Sequence, residues 1–179
     1  MPFGISLTFD AQTDQLVRSV WQRLASQKIS SSMIDTGYPP HVTLAVWDSP
    51  DATFMAPGIE KIVAQAPPVR AVIESAGLFL HDGGAVYLAP TVTSELLELH
   101  RAVCGVLAEQ NANVREYYKP GWWIPHCTLA IGLPPERLPD AISVSREIAL
   151  PGSSSFAELG IGRFPPGERL YTFPLASNS

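Results

Sequence analysis

The sequence contains few cysteines and no long hydrophobic run. Its two cysteines, Cys104 and Cys127, form neither a disulfide framework nor the ligand spacing of a zinc site, so we expect reduced thiols. No run of about 18 uninterrupted apolar residues occurs, which argues against a membrane-spanning segment. The start of the chain lacks the basic segment of a signal peptide and alternates like a strand. We therefore expect the protein to stay in the cytoplasm.

Positive charge is also scarce. The chain has 12 lysines and arginines against 17 aspartates and glutamates, which gives a net charge of −5, and it has no basic run. Proteins that bind long nucleic acids normally present a basic stripe that replaces the counterions condensed on the phosphates. We therefore do not expect a long nucleic acid as partner, whereas a few local contacts suffice to hold a nucleotide or a short oligonucleotide.

One six-residue phrase is present twice. Pro40–Ala45 and Pro125–Ala130 are identical at five of six positions, and the second copy begins 85 residues after the first. A second match, Gly77-Leu78-Phe79 against Gly162-Arg163-Phe164, has the same offset. Two matches at one offset indicate an internal duplication rather than chance similarity.

The duplication and the hydrophobic periodicity together predict an α+β fold. With 179 residues, of which 46% are hydrophobic, the chain is long enough for one domain of two lobes, and we expect a monomer. The predicted internal repeat comprises approximately residues 1–83 and 84–175. Strands joined both by hairpins and by helices favour antiparallel or mixed sheets. We expect two sheets that face a central cleft, with helices on the outside and an approximate two-fold axis.

The predicted elements follow the same order in both halves. The first half and its closing hairpin are predicted to contain strands over 3–9, 41–47, 69–80 and 84–89 and helices over 12–27 and 51–66. The second half is predicted to contain helices over 93–110 and 135–144 and strands over 125–132, 156–164 and 168–174. The two predicted hairpin turns are His81–Gly84 and Pro165–Gly167.

The repeated phrase places the same two polar side chains on one face of each strand. Because side chains alternate along a strand, His41 projects with Thr43, and His126 projects with Thr128. Imidazole accepts or donates a proton near neutral pH, so two facing histidines can serve as a base and an acid. The two hydroxyls can bind the oxygens of a phosphate between them. This set is suited to attack on a phosphodiester without a metal.

At these residues the sequence resembles the 2H phosphoesterase superfamily, which includes the bacterial 2′-5′ RNA ligase-like and 2′,3′-cyclic phosphodiesterase proteins. The resemblance rests on the two His-x-Thr motifs half a chain apart and on the segment from Gly77 to Leu88. It implies a bilobal fold with His41 and His126 as the acid/base pair and Thr43 and Thr128 as phosphate ligands. It also implies hydrolysis of a cyclic phosphate of a nucleotide or short RNA end, without a cofactor. Which histidine is the base stays open.

Further residues near the motifs are candidates for substrate contacts. Tyr38 precedes the first motif and Trp123 the second, where an aromatic ring can stack on a base, and Arg163 is a candidate cation for phosphate. His100, beside Arg101 on a predicted helix, is expected to face solvent. A zinc site recruiting His41, His126 and Cys127 is disfavoured, because Cys127 projects away from its neighbours and no further ligand completes a tetrahedron.

The motifs leave the reaction and the substrate open. Within the same enzyme class, the alternatives are a 2′-5′ RNA ligase and a phosphodiesterase for other cyclic nucleotides or oligonucleotides. Outside that class, the alternative is a module that senses a nucleotide without turning it over. Binding alone does not require two titratable groups, so the intact histidines favour the enzyme.

Overall fold

The structure, a computed structural model, describes residues 1–80, 84–146, 154–164 and 167–176. The predicted turn residues His81–Gly83 and Pro165–Pro166 lie outside the described residues. The described strands are β1 (Phe3–Phe9), β2 (His41–Trp47), β3 (Ile73–Phe79), β4 (Ala85–Pro90), β5 (Cys127–Ile131), β6 (Phe156–Arg163) and β7 (Glu168–Pro174). The described helices are α1 (Ala11–Ser26), α2 (Ser32–Asp35), α3 (Ala56–Gln65), α4 (Ser94–Glu109) and α5 (Leu138–Ser145). This α+β composition confirms the predicted fold class.

The strands form two antiparallel sheets. The four-stranded sheet has the order β2-β1-β6-β7, and the three-stranded sheet has the order β3-β4-β5. The order β2-β1-β6 in one sheet corresponds to β5-β4-β3 in the other. Each sheet therefore takes strands from both halves of the chain, because β3 pairs with β4 and β6 pairs with β1.

The two motif strands carry the same irregularity. In the pairing of β1 with β2, the register passes from Ile5 opposite Ala45 to Ser6 opposite Thr43, so Leu44 is an extra residue. In the pairing of β4 with β5, the register passes from Val86 opposite Ala130 to Tyr87 opposite Thr128, which leaves Leu129 extra. A β-bulge bends its strand and frees backbone groups from the ladder. Both motifs thus share a bend directly after their threonine.

The two longest described helices, α1 and α4, begin at side-chain caps. The Asp10 carboxylate accepts a hydrogen bond from the Thr13 amide at the start of α1, and the Thr93 hydroxyl accepts one from the Leu96 amide at the start of α4. The predicted helix over 51–66 is divided into a 3₁₀ turn at Ala52–Phe54 and α3.

No helix in the described part of the chain has both the length and the apolarity needed to cross a membrane.

Helices pack behind the motif strand of the other half of the chain. Helix α1 contacts β5 and helix α4 contacts β2. This arrangement corrects the expectation that His100 faces solvent, because His100 on α4 is 0% exposed. The buried residues of α4 are Leu96, Leu99, His100, Val103 and Leu107.

Candidate active site

The two motif histidines are held in the same way. His41 Nδ1 lies 2.8 Å from the Pro39 carbonyl oxygen, and His126 Nδ1 lies 2.7 Å from the Ile124 carbonyl oxygen. A carbonyl oxygen only accepts, so Nδ1 carries the proton in both rings. The other ring nitrogen, Nε2, is then the atom that gains or loses a proton. Each imidazole is oriented by a carbonyl two residues earlier in its own strand segment.

Aromatic rings surround both imidazoles. The His41 ring packs edge-on against Tyr38, with centroids 4.9 Å apart, and lies 6.5 Å from the Phe164 ring. The His126 ring packs edge-on against Phe79, at 4.9 Å, and against Tyr87, at 5.5 Å. Each histidine therefore has one phenylalanine and one tyrosine beside it, which removes water from the ring sides and restricts rotation.

Glycines make room for the two tyrosines. A Cβ atom at Gly77 would lie 2.3 Å from Tyr87 Cζ, and a Cβ atom at Gly162 would lie 3.2 Å from the Tyr38 hydroxyl and 2.8 Å from the Glu168 carbonyl oxygen. These are the glycines of the two matching Gly-x-Phe triplets. The triplets thus supply both the phenylalanine that contacts a histidine and the space for the tyrosine beside it.

The environment makes both histidines easier to deprotonate. Burial lowers the pKa of His41 below its ordinary value of 6.5, the Pro39 carbonyl opposes that shift, and a charge on His126 adds to it. Burial likewise lowers the pKa of His126, against the effect of the Ile124 carbonyl. The influence of His126 on His41 reflects their proximity, which the contact between β2 and β5 produces.

The motif threonines lie next to the histidines on the same strand face, and their carbonyl groups are fixed by indoles. The Trp123 indole donates to the Thr43 carbonyl at 2.9 Å, and the Trp21 indole donates to the Thr128 carbonyl at 3.1 Å. Both carbonyls lie at the bulges. Trp21 belongs to the first half of the chain and contacts the second motif, whereas Trp123 belongs to the second half and contacts the first. The indoles therefore link the two halves at the site.

His100 lies behind the first motif. Its ring stacks on Trp123 with centroids 4.1 Å apart and an interplanar angle of 6°, and its Nε2 lies 2.9 Å from the Tyr118 carbonyl oxygen. Burial lowers its pKa, and the Tyr118 and Leu44 carbonyls oppose that shift. His100 thus packs against the indole that donates to the Thr43 carbonyl.

The cysteines are unsuited to nucleophilic catalysis. Burial raises the pKa of Cys127 to about 12 and that of Cys104 to about 11, so both stay thiols near neutral pH. Among the described residues, no group of three or more His, Cys, Asp or Glu side chains could hold a metal ion.

The three candidate substrate contacts occupy different environments. Tyr38 is 2% exposed and packs on His41, so its ring supports the histidine and has no free face for a base. Trp123 packs on His100 rather than facing solvent, whereas the adjacent Trp122 is 66% exposed. Arg163 lies over the Phe3 ring, with Asp51 and Glu168 at 3.8 and 3.9 Å. The structure does not bring Arg163 to either histidine.

Several residues that contact the site have no role predicted from the sequence. Phe79, Phe164, Tyr87 and Trp21 were not predicted to lie there. The repeated Gly-x-Phe triplet was a usable signal for the two phenylalanines, because it shares the offset of the motifs. No comparable signal marks Tyr87 or Trp21, because each meets its partner through strand pairing or helix packing.

Two histidines with oriented Nδ1 atoms, one at the start of β2 and one directly before β5, in two antiparallel sheets, define a two-histidine phosphoesterase fold. The chain belongs to the 2′-5′ RNA ligase superfamily, whose family model matches residues 11–164. A comparison with curated proteins finds no match.

Solved structures share the fold over almost the whole chain. E. coli LigT in its apo form is 15% identical, with a TM-score of 0.64 and 98% of each chain covered. The Thermus thermophilus protein TT0787 is 16% identical, with a TM-score of 0.63 and 98% of each chain covered. Kluyveromyces marxianus Usb1 with uridine monophosphate is 12% identical, with a TM-score of 0.50 and 97% of each chain covered. LigT has also been solved in complex with 3′-AMP.

Proposed function

We propose that the protein hydrolyses the 2′,3′-cyclic phosphate of a nucleotide or short RNA end without a metal. The observation that carries this proposal is the matched pair of imidazoles, each with Nδ1 committed to a carbonyl and Nε2 left for proton transfer. The complexes of LigT with 3′-AMP and of Usb1 with uridine monophosphate support a nucleotide ligand. The net charge of −5 favours a small substrate over a long nucleic acid.

The proposed step uses one histidine as base and the other as acid. The neutral histidine accepts a proton on Nε2 from water while the water oxygen forms a bond to phosphorus. The bond from phosphorus to the ribose 3′-oxygen breaks, and the protonated histidine gives its Nε2 proton to that oxygen. Thr43 and Thr128 bind the non-bridging phosphate oxygens. The product in this scheme is a 2′-phosphate, and the two histidines exchange protonation states in each turnover.

The first test is hydrolysis of the four nucleoside 2′,3′-cyclic monophosphates in EDTA, with products identified by phosphorus NMR. We expect turnover by the wild-type protein and none by His41→Gln or His126→Gln, since each substitution removes one proton-transfer group. Circular dichroism of both variants checks that the fold is retained. Substantial activity in either variant would remove that histidine from the mechanism. Loss of wild-type activity in EDTA would show that the reaction requires a metal ion.

The same experiment separates the alternative functions. An RNA ligase would join an RNA end bearing a 2′,3′-cyclic phosphate to a 5′-hydroxyl end, so the incubation includes such oligonucleotides. Other cyclic nucleotides are tested as substrates in parallel. A sensing module would bind nucleotide without turnover, and its affinity would rise steadily as falling pH protonates both histidines. Ligation, turnover of other cyclic nucleotides, or binding would overturn the hydrolase if it occurred without hydrolysis of the 2′,3′-cyclic monophosphates.

A further inference from the structure

A polar strip extends from His41 across the four-stranded sheet. In the strand register, His41 on β2 lies opposite Thr8 on β1, and Thr8 lies opposite Glu158 on β6. Gly162 on β6 lies opposite Arg169 on β7. Residues that are directly opposite share a sheet face, so these side chains lie on the face of His41. We call Thr8, Glu158 and Arg169 the polar strip.

The members of the polar strip bind one another. Arg169 Nη2 donates to Glu158 Oε2 at 2.7 Å, and the Thr8 hydroxyl donates to the same oxygen at 3.5 Å. The Arg169 and Glu158 side chains are 35% and 38% exposed, so the pair is open to a ligand. A guanidinium carries five N–H donors and a carboxylate two acceptor oxygens, so one mutual hydrogen bond does not exhaust either group. The strip therefore offers donors and an acceptor side by side.

The backbone beneath Arg169 contains a glycine that packing does not require. A Cβ atom at Gly160 would meet its nearest neighbours at 3.5 Å or more, which is ordinary contact. By contrast, a Cβ atom at Gly4 would lie 2.8 Å from the Phe164 ring. Glycine inside a strand often marks a place where a ligand approaches the sheet closely.

Exposed ion pairs add little to the free energy of unfolding, so a contribution to stability does not account for the pair of Arg169 and Glu158.

On the side of His126, the described residues that border the site are aromatic or aliphatic. His126 is bordered by Phe79 and Tyr87, and Leu80 directly after β3 is 86% exposed. In the part of the chain that the structure describes, the polar strip therefore lies on the His41 side of the site. An asymmetric substrate can bind such a site in one orientation, which determines the histidine that faces its leaving oxygen.

We propose that Glu158 and Arg169 form a second binding subsite that reads the hydrogen-bonding edge of the substrate's base. The proposal rests on the nucleotide-binding function proposed above. A base edge carries donors for the Glu158 carboxylate and acceptors for the Arg169 guanidinium. A second phosphate fits less well, because it would face the Glu158 carboxylate.

The position of the strip suits this role. Glu158 lies two strand spacings from His41, which corresponds to about 10 Å across the sheet. This separation is comparable with the reach of a nucleoside from its phosphate to its base edge. A phosphate held at His41 and Thr43 would thus place its base near the strip.

The test compares base preference in three variants. Glu158→Gln replaces an acceptor oxygen by a donor, and Arg169→Met keeps much of the side-chain length but removes the donors. Arg115→Met is the control, because Arg115 forms an exposed pair with Asp48. We measure kcat/KM for the four nucleoside 2′,3′-cyclic monophosphates and for a base-free methyl riboside 2,3-cyclic phosphate.

We expect the ratio of kcat/KM between the best and poorest base to change by about tenfold or more in both strip variants. The control variant should keep the wild-type ratio. Hydrolysis of the base-free substrate should stay within about twofold of wild type in all three variants, because it does not reach the subsite. Wild-type rates that are equal for all bases, or unchanged ratios in the strip variants, would overturn the proposal. Equal slowing of the base-free substrate would also overturn it and would assign the strip to the ribose or phosphate.

A binding measurement separates this proposal from the hydrolase. If the wild-type protein hydrolyses none of the substrates, the proposed function fails, and calorimetry with the four nucleoside 3′-monophosphates then tests the subsite alone. Base-dependent affinity that Arg169→Met reduces about tenfold would retain the subsite. Base-independent affinity, or no binding by the wild type, would overturn it.

Discussion

At the scale of single residues, His41 and His126 differ little in their surroundings. Each donates from Nδ1 to a carbonyl, and each packs against a phenylalanine and a tyrosine. The near symmetry explains why neither sequence nor local geometry assigns base and acid. In the proposed mechanism the assignment depends on substrate orientation, and the proposed subsite on the His41 side would determine that orientation.

The lowered pKa values of the histidines predict an acid-shifted pH profile. A reaction that needs one neutral and one protonated histidine has a bell-shaped dependence on pH. Because burial lowers the pKa of both residues, the kcat/KM optimum of the free enzyme should lie below pH 6.5. The bound phosphate favours the protonated forms, so the kcat optimum should lie at higher pH. Steady-state kinetics across this range test both points, and a kcat/KM that rises steadily into alkaline solution would contradict the two-histidine step.

Trp123 is expected to position the first motif through its indole N–H. Trp123→Phe keeps the ring on His100 but leaves the Thr43 carbonyl without its donor, which we expect to cost about 1–3 kcal/mol of unfolding free energy. We also expect kcat to fall more than KM rises, with an unchanged pH optimum. Denaturant unfolding and kinetics measure these effects.

The adjacent Trp122 provides a matched control, since it is 66% exposed. Trp122→Phe should change the unfolding free energy by less than about 0.5 kcal/mol. Equal effects of the two substitutions would show that the indole of Trp123 has no special role.

At the scale of elements, the main feature of the fold is that each half of the chain contributes a strand to the sheet that carries the other half's motif. Strand β3 of the first half borders the second motif, and β6 of the second half leads to Phe164 beside the first. We propose that the halves 1–83 and 84–175 are copies of one unit. The shared bulge after each motif threonine and the corresponding strand orders support this proposal.

Gly77 on β3 provides a test of how the exchanged strand supports the site. Gly77→Ala would place a methyl group 2.3 Å from Tyr87 Cζ, so the Tyr87 ring must move away from its packing on Phe79 and His126. We expect a loss of about 1–3 kcal/mol in unfolding free energy and a lower kcat. Thermal or denaturant unfolding and kinetics measure both.

A helix glycine serves as the control for this substitution. Gly105 lies within α4, and a Cβ atom there meets no atom within 4 Å. Gly105→Ala should therefore stabilise the protein by about 0.5–1 kcal/mol. A stability loss of the same size at both positions would argue against a specific overlap with Tyr87.

At the scale of the whole molecule, three histidines couple folding to pH. Burial lowers the pKa of His41, His100 and His126 below 6.5 in the folded state. The unfolded chain therefore binds more protons near and below this pH, so stability is greatest above pH 6.5 and declines as pH falls. Denaturant unfolding at several pH values measures the decline, and His100→Phe should reduce it. Stability that increases between neutral pH and pH 5 would contradict these pKa directions.

Much of the fold and of the candidate site was predictable from local sequence. The strand at 41–47 and the helix at 93–110 have nearly the predicted bounds, because side-chain periodicity and capping residues act over a few positions. The wrong prediction for His100 has a tertiary cause. The residues that cover His100, Tyr118 and Trp123, lie beyond the end of α4 in the chain. The periodicity of the helix therefore contains no sign of them.

Alternation along a strand places His41 with Thr43 and His126 with Thr128, so the order of the amino acids is enough to define which side chains share a face. The groups that surround these side chains follow from tertiary packing instead. Phe79 meets His126 and Phe164 meets His41 because strands pair across the two halves. The same pairing separates two arginines of similar chemistry. Arg169 lies on the face of His41, whereas Arg163 lies over Phe3, because neighbouring positions on a sheet project to opposite sides.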